Sequence, residues 1–174
     1  IGSTALAAAT GATVLHSGRL DFGYGVAVRE GDSFGVGKLE FRVLETPGHT
    51  DESLTFTLAD TRTSRDPFMA FTGDALFVDD VGRTDLYGPG EAPRLAATLY
   101  ESIFGKLLPL GDGVLLAPAH GGGSVCGGNI SEREHSSLGF ERLQGLRRIV
   151  YDSRDYVEGL TAFKEKRKPN FEGQ

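Results

Sequence analysis

Three short runs in this 174-residue chain share one layout: Thr46-Pro47-Gly48-His49-Thr50, Thr72-Gly73-Asp74-Ala75-Leu76-Phe77 and Ala117-Pro118-Ala119-His120-Gly121. In each, a strand-like stretch meets a glycine turn that presents a side chain able to bind a metal. Imidazole and carboxylate together suit zinc or iron. Singly, a histidine in a turn or an aspartate after glycine is an ordinary turn residue; three instances of one layout make His49, Asp74 and His120 candidate ligands. Their separation along the chain is no obstacle if the strands end on one rim of a sheet. His16 and His135 lack the layout. The first closes a strand and the second falls in a polar segment, Ser131-Glu132-Arg133-Glu134-His135, read as helical, so both are read as structural.

The elements that must position these residues follow from periodicity. Ser3–Thr10 reads as a short helix, with Ser3 as its N-cap and Gly11 as its stop, and Thr13–His16 as a strand. Residues 17–37 are rich in glycine and read as a loop with a short strand near Val26–Val28. Polar and apolar residues alternate in 38–44 and again in 53–58, which predicts two half-buried strands flanking His49. Phe68–Thr72 is a buried strand that stops at Gly73-Asp74. Leu95, Leu99, Ile103 and Leu107 share one face of a helix over 92–107, and Val114–Pro118 is the strand that delivers His120. Helical patches follow at 131–146 and 154–166, and the charged, proline-broken run from Lys164 reads as a linker. Strands first and then mixed elements point to a layered α/β sandwich.

Composition narrows the function. With 39% hydrophobic and 24% charged residues the chain is a globular domain, and a net charge of −6 gives no basic stripe for a phosphate backbone. A small-molecule substrate is expected, not nucleic acid. No apolar run approaches the roughly 20 residues of a membrane span, and the first residues do not resemble a signal peptide. The single cysteine, Cys126, excludes an internal disulfide framework, and the expected location is the cytoplasm. Glycine clusters at Gly121–Gly123 and Gly127–Gly128 mark places where the backbone must turn sharply or approach something closely.

The three runs, in order and spacing, resemble the third, fourth and fifth metal motifs of the metallo-β-lactamase superfamily. The resemblance covers roughly residues 1–145 and implies an αββα sandwich with the metal at one edge of two packed sheets. Residues 146–167 would be a C-terminal helical segment and 168–174 a linker to a downstream module. Val81-Gly82-Arg83-Thr84-Asp85-Leu86 is similar to the segment after the metal aspartate in persulfide dioxygenases, where glyoxalase-II thioesterases carry an aromatic-rich sequence. The glycine-rich run around Cys126 and the following Ile130–Glu141 resemble the bacterial branch fused to rhodanese modules. The superfamily's His-x-His-x-Asp-His cluster is expected immediately before the first helix, so that cluster and the first strands would lie upstream of residue 1.

The persulfide dioxygenase resemblance implies one Fe(II) held by an upstream histidine, His49 and Asp74, with positions left for substrate sulfur and dioxygen. A low-molecular-weight thiol persulfide would leave as sulfite and thiol. His120 would be a second-site ligand of the two-zinc hydrolases, lying beside the metal in a mono-iron enzyme. Arg83 could hold an anionic substrate end with Asp85 fixing its guanidinium, although an ordinary surface ion pair explains the same two residues. Cys126 could transiently carry sulfur or be a small packed thiol. The alternative enzyme is a dinuclear zinc thioesterase of the glyoxalase-II type, with Asp74 bridging two ions; a non-catalytic fragment of the same fold is the third reading. A rhodanese module is the expected protein partner, and self-association is left open.

Overall fold

The computed structural model describes residues 2–144, 158, 161, 162 and 164–170. Six strands form one mixed sheet, ordered β3(Ser33–Val36), β4(Leu39–Glu45), β5(Leu54–Asp60), β6(Met69–Gly73), β7(Leu115–Pro118), β8(Ser136–Ser137). Ahead of them α1(Ser3–Thr10) leads into a separate parallel pair, β1(Leu15–Ser17) and β2(Val26–Val28). Helix α2(Ala92–Ser102) lies between β6 and β7, as a connection between parallel neighbours requires.

Strand direction decides where the site forms. β4 is antiparallel to β5, β5 is antiparallel to β6, and β6 is parallel to β7. The C-terminal ends of β4, β6 and β7 therefore share one rim, and the turns that follow them carry His49, Asp74 and His120.

One sheet face supplies Leu44, Ala70 and Leu116 to a core closed by Leu99, Ile103, Leu107 and Leu138. These strand residues alternate with a row on the opposite face. There Phe34 stacks on Phe41 at 5.0 Å and Phe41 lies 6.2 Å from Phe71. The helix stripe predicted over 92–107 is buried, but the α-helix ends at Ser102 and a π-helical turn, Ile103–Leu107, carries the last two residues inward.

Three expectations change. Ser33–Val36, read as loop, is a strand, because Gly37 takes φ 64° and folds it back on β4 as a hairpin. Gly2, not Ser3, occupies the N-cap of α1, without a side-chain bond, whereas Gly11 ends the helix in the left-handed region as expected. The segment 131–137 is not helical. The Ser131 N–H donates to the Val78 carbonyl and the Arg133 guanidinium turns to Asp79, so helix begins only at 138. The patch at 154–166 and the proposed unit 146–167 lie largely outside the described residues, as do the last four positions of 168–174. No helix among the described residues is long and apolar enough to cross a membrane.

Glu141 pins that segment to the sheet. It is 8% exposed, accepts the Asp79 N–H at 2.8 Å and bonds the Ser136 hydroxyl. Asp79 sits at φ 64°, a conformation a non-glycine residue holds only when its surroundings fix it. Arg133 adds an ion pair to Asp79 at 2.7 Å and lies over the Phe140 ring. Glu141→Ala should strand these buried donors and cost about 2–3 kcal/mol, read as a lower urea midpoint. An unchanged midpoint would show that the carboxylate holds nothing.

Candidate metal centre

His49 is fixed from four sides. The buried hydroxyls of Thr46 and Thr55 bond at 3.0 Å where β4 gives way to the turn. Gly48 takes φ 141°, and a Cβ there would stand 2.4 Å from that of Leu99, so only glycine lets the turn press against α2. Ser102 donates its hydroxyl to the Pro47 carbonyl at 2.7 Å. The imidazole itself is 7% exposed, with Nδ1 at 2.8 Å from the Arg83 carbonyl. A carbonyl can only accept, so Nδ1 carries the hydrogen and Nε2 keeps its lone pair for a ligand.

Asp74 follows Gly73, which takes φ 55° at the end of β6. Thr72 donates its hydroxyl to the Leu76 carbonyl at 2.7 Å and holds the turn closed. Its neighbour on the rim is the His120 turn, where the Ala119 N–H donates to the Gly73 carbonyl at 3.0 Å. The Asp74 carboxylate faces both histidines: Oδ2 is 3.8 Å from His49 Nε2 and Oδ1 is 3.1 Å from His120 Nε2. Oδ1 is nevertheless a buried atom with no hydrogen-bond partner. The short approach to His120 is thus a contact of poor hydrogen-bond geometry. A buried carboxylate oxygen is costly unless a proton donor or a cation satisfies it. Lone pairs from several residues that converge without bonding one another are what a metal site offers, and this donor set fits zinc or iron.

All six residues nominated from sequence gather here or at its margin. His120 is 41% exposed at the side chain, with the fully buried Phe77 ring 6.2 Å from its own. Arg83 and Asp85 form a bidentate pair, 2.6 and 2.7 Å, near the surface. Each partner holds the other ionised: the Asp85 hydrogen bond raises the Arg83 pKa, and the Arg83 hydrogen bond lowers that of Asp85. The depressed Asp85 pKa means the pair forms fully above the ordinary aspartate range and is lost only as pH falls through the lower, folded value. A pH titration of the Asp85 carboxyl by NMR should therefore move upward in Arg83→Ala; an unmoved titration would mean the two do not pair in solution.

The main chain of Arg83 matters as much as its guanidinium. Its carbonyl accepts from His49, while its N–H donates to the Cys126 carbonyl at 2.9 Å. Cys126 is thereby drawn inward, and its sulfur, a nitrogen of His49 and an oxygen of Asp74 all lie within 4.8 Å of one another. Sequence reasoning missed Asp80, whose Oδ2 accepts the Asn129 N–H and holds the same glycine-rich loop. Nothing in sequence distinguishes it from a turn aspartate. Beside the centre lies a cleft of about 400 Å3 lined by Val81, Arg83, Leu99, Tyr100, Ile103 and Phe104.

No family model matches the chain. An uncharacterised protein of Mycobacterium tuberculosis is 36% identical over 120 residues, 69% of this chain and 48% of that protein. The human mitochondrial persulfide dioxygenase ETHE1 is 38% identical over 93 residues, 53% of this chain and 32% of that one. A 34-residue stretch is 74% identical to methylmalonyl-CoA decarboxylase of Escherichia coli, covering 20% of this chain and 13% of that protein. A stretch so short has no independent core. Among solved structures, a metallo-β-lactamase from Staphylococcus aureus superposes with a TM-score of 0.73 at 32% identity, over 80% of this chain and 44% of that one. ETHE1 from Myxococcus xanthus superposes with a TM-score of 0.67 at 34% identity, over 97% of this chain and 64% of that one. The chain spans less than half the length of these curated relatives. It has the metallo-β-lactamase fold, and persulfide dioxygenases are among the proteins it resembles.

Proposed function

We propose that this chain belongs to an iron-dependent persulfide dioxygenase, which oxidises a low-molecular-weight thiol persulfide to sulfite and releases the thiol. The observation that carries the reading is the convergence of the His49 and His120 imidazoles on the Asp74 carboxylate, whose buried Oδ1 has no hydrogen-bond partner, in a chain similar to two ETHE1 proteins. His49 and Asp74 would hold the ion together with an upstream histidine. Bound there, iron would supply the redox chemistry with dioxygen that no side chain possesses.

The protein's own residues do the rest. Arg83 presents a fixed cation at the cleft, suited to the anionic end of a thiol carrier. Leu99, Ile103 and Phe104 line the neighbouring wall, where apolar surface would exclude water from the sulfur. Since the Arg83 backbone, not its side chain, holds His49, Arg83→Ala should raise KM roughly 10- to 100-fold and leave metal content intact. Steady-state kinetics with metal analysis on the same sample test this; loss of metal would show the side chain to be structural.

A specific observation supports one other reading. The two oxygens of Asp74 each face a different histidine, as in a carboxylate that bridges two ions, which favours a dinuclear zinc thioesterase with His49 and His120 binding one ion each. Iron content with oxygen uptake on glutathione persulfide supports the dioxygenase. Zinc content with hydrolysis of a lactoylglutathione-type thioester, and no oxygen uptake, overturns it.

A further inference from the structure

The glycine-rich loop rests on Asp80, whose own place is fixed first. The N–H of the fully buried Phe77 donates to the Asp80 carbonyl at 2.9 Å, and the Val81 N–H donates to its Oδ1 at 2.8 Å. The other oxygen, Oδ2, accepts the Asn129 N–H at 2.5 Å from 49 residues further along the chain. The loop is moulded to this carboxylate: a Cβ on Gly127 would stand 2.9 Å from Oδ2 and 2.7 Å from the Ile130 side chain. Both oxygens accept backbone N–H groups, which a carboxylate can do and a side-chain amide, with one oxygen and one NH2, cannot. From this support the loop reaches Arg83. The Cys126 carbonyl accepts the Arg83 N–H at 2.9 Å, and the Val125 carbonyl accepts from the guanidinium Nη1 at 3.4 Å, while Asp85 takes the Nε and Nη2 edge. The Val125 side chain is 79% exposed, so hydrogen bonds and not packing hold this part of the loop.

We propose that Asp80 is a positioning residue for Arg83: through the loop from Val125 to Asn129 it sets where the guanidinium stands at the cleft, and so how tightly the anionic end of a substrate is held. Asp85 alone fixes the guanidinium relative to its own neighbour two residues away. The contacts to Val125 and Cys126 tie it to a second part of the chain, and that part has a set place only while Asp80 grips Asn129. The proposal rests on the reading of Arg83 as the cation that meets the substrate.

Amide hydrogen exchange of the 174-residue protein, followed by NMR, tests this. In Asp80→Asn the Asn129 and Arg83 amides should exchange at least about tenfold faster, the lower end of what a hydrogen bond to a charged group is worth, while amides within β4 and β5 keep their rates. An Arg83 amide that stays protected when that of Asn129 is lost overturns the link, because the loop would then hold Arg83 without Asp80. If the variant does not fold, the unmutated protein decides: the two amides should open as one unit with the same protection factor, and separate openings overturn the proposal. Kinetics supply a second arm. Asp80→Asn should raise KM at least about fivefold, and the double variant with Arg83→Ala should match Arg83→Ala alone within about twofold, since Asp80 then has no guanidinium left to position. Effects that multiply would show that Asp80 acts by another route and overturn the assignment. A protein that gives the exchange result but oxidises no persulfide would keep Asp80 as the support of Arg83 and remove only the dioxygenase reading.

Discussion

Asp74→Asn should reduce bound metal below detection at stoichiometric loading and lower turnover at least about 100-fold, while leaving the fold in place. The amide nearly matches the carboxylate in size, so packing survives. What disappears is the negative charge, in a pocket where the buried Oδ1 has no hydrogen-bond partner. An anion in such a place is tolerable when a cation sits against it, and the cation stays when the anion does. Losing a direct ligand should cost more than the 10- to 100-fold typical of its supporting shell. The stability of the metal-free form should even rise, because the amide offers donors to the lone pairs of the nearby histidines at less desolvation cost. Metal analysis and thermal melts of the metal-free proteins check both halves. A variant that keeps its metal would show that the centre does not depend on this carboxylate, and the functional reading would fall with it.

Gly82→Ala should be nearly as damaging without touching any ligand. A Cβ at position 82 would lie 1.9 Å from the Asp74 carbonyl oxygen and 3.1 Å from His49 Cβ. Backbone cannot yield as a flexible side chain can, so the turn carrying Asp74 must move away from the one carrying His49. Overpacking of this kind costs about 1–3 kcal/mol or more, and a misplacement of half an ångström is enough to spoil coordination. The expected result is a lower melting temperature together with loss of stoichiometric metal. Gly90→Ala is the control: a Cβ there meets nothing within 4 Å and stability should stay within about 0.5 kcal/mol. If Gly82→Ala binds metal as the parent does, the two turns are less rigidly apposed than their spacing indicates.

The substitutions differ in what made them foreseeable. Asp74 announces itself: a carboxylate after Thr72-Gly73 at the end of an apolar run, in the same layout as His49 and His120. Gly82 looks like any loop glycine until the Asp74 carbonyl is seen against it. Arg83 was nominated for its guanidinium, yet its carbonyl and N–H join the His49 turn to the Cys126 loop, and backbone atoms carry no residue-type signal. Cys126 was nominated as a carrier of sulfur or a packed thiol; its nearness to His49 and Asp74 depends on Asp80 and Arg83 drawing in a loop more than 40 residues away.

The boundary between the two sources of information is therefore physical. Alternating polarity, apolar runs and glycine stops are local, so the strands that became β4, β5, β6 and β7 and the turns carrying His49, Asp74 and His120 could be placed from sequence alone. The strand Ser33–Val36 could not, since its identity comes from pairing with β4, and 131–137 was mistaken for helix because its hydrogen bonds go to Val78 and Asp79. Which rim the candidate ligands share, which oxygen of Asp74 faces which imidazole and which backbone groups lock them there follow from strand direction and close packing. Those are relations between residues far apart in the chain, and they have no existence until it folds.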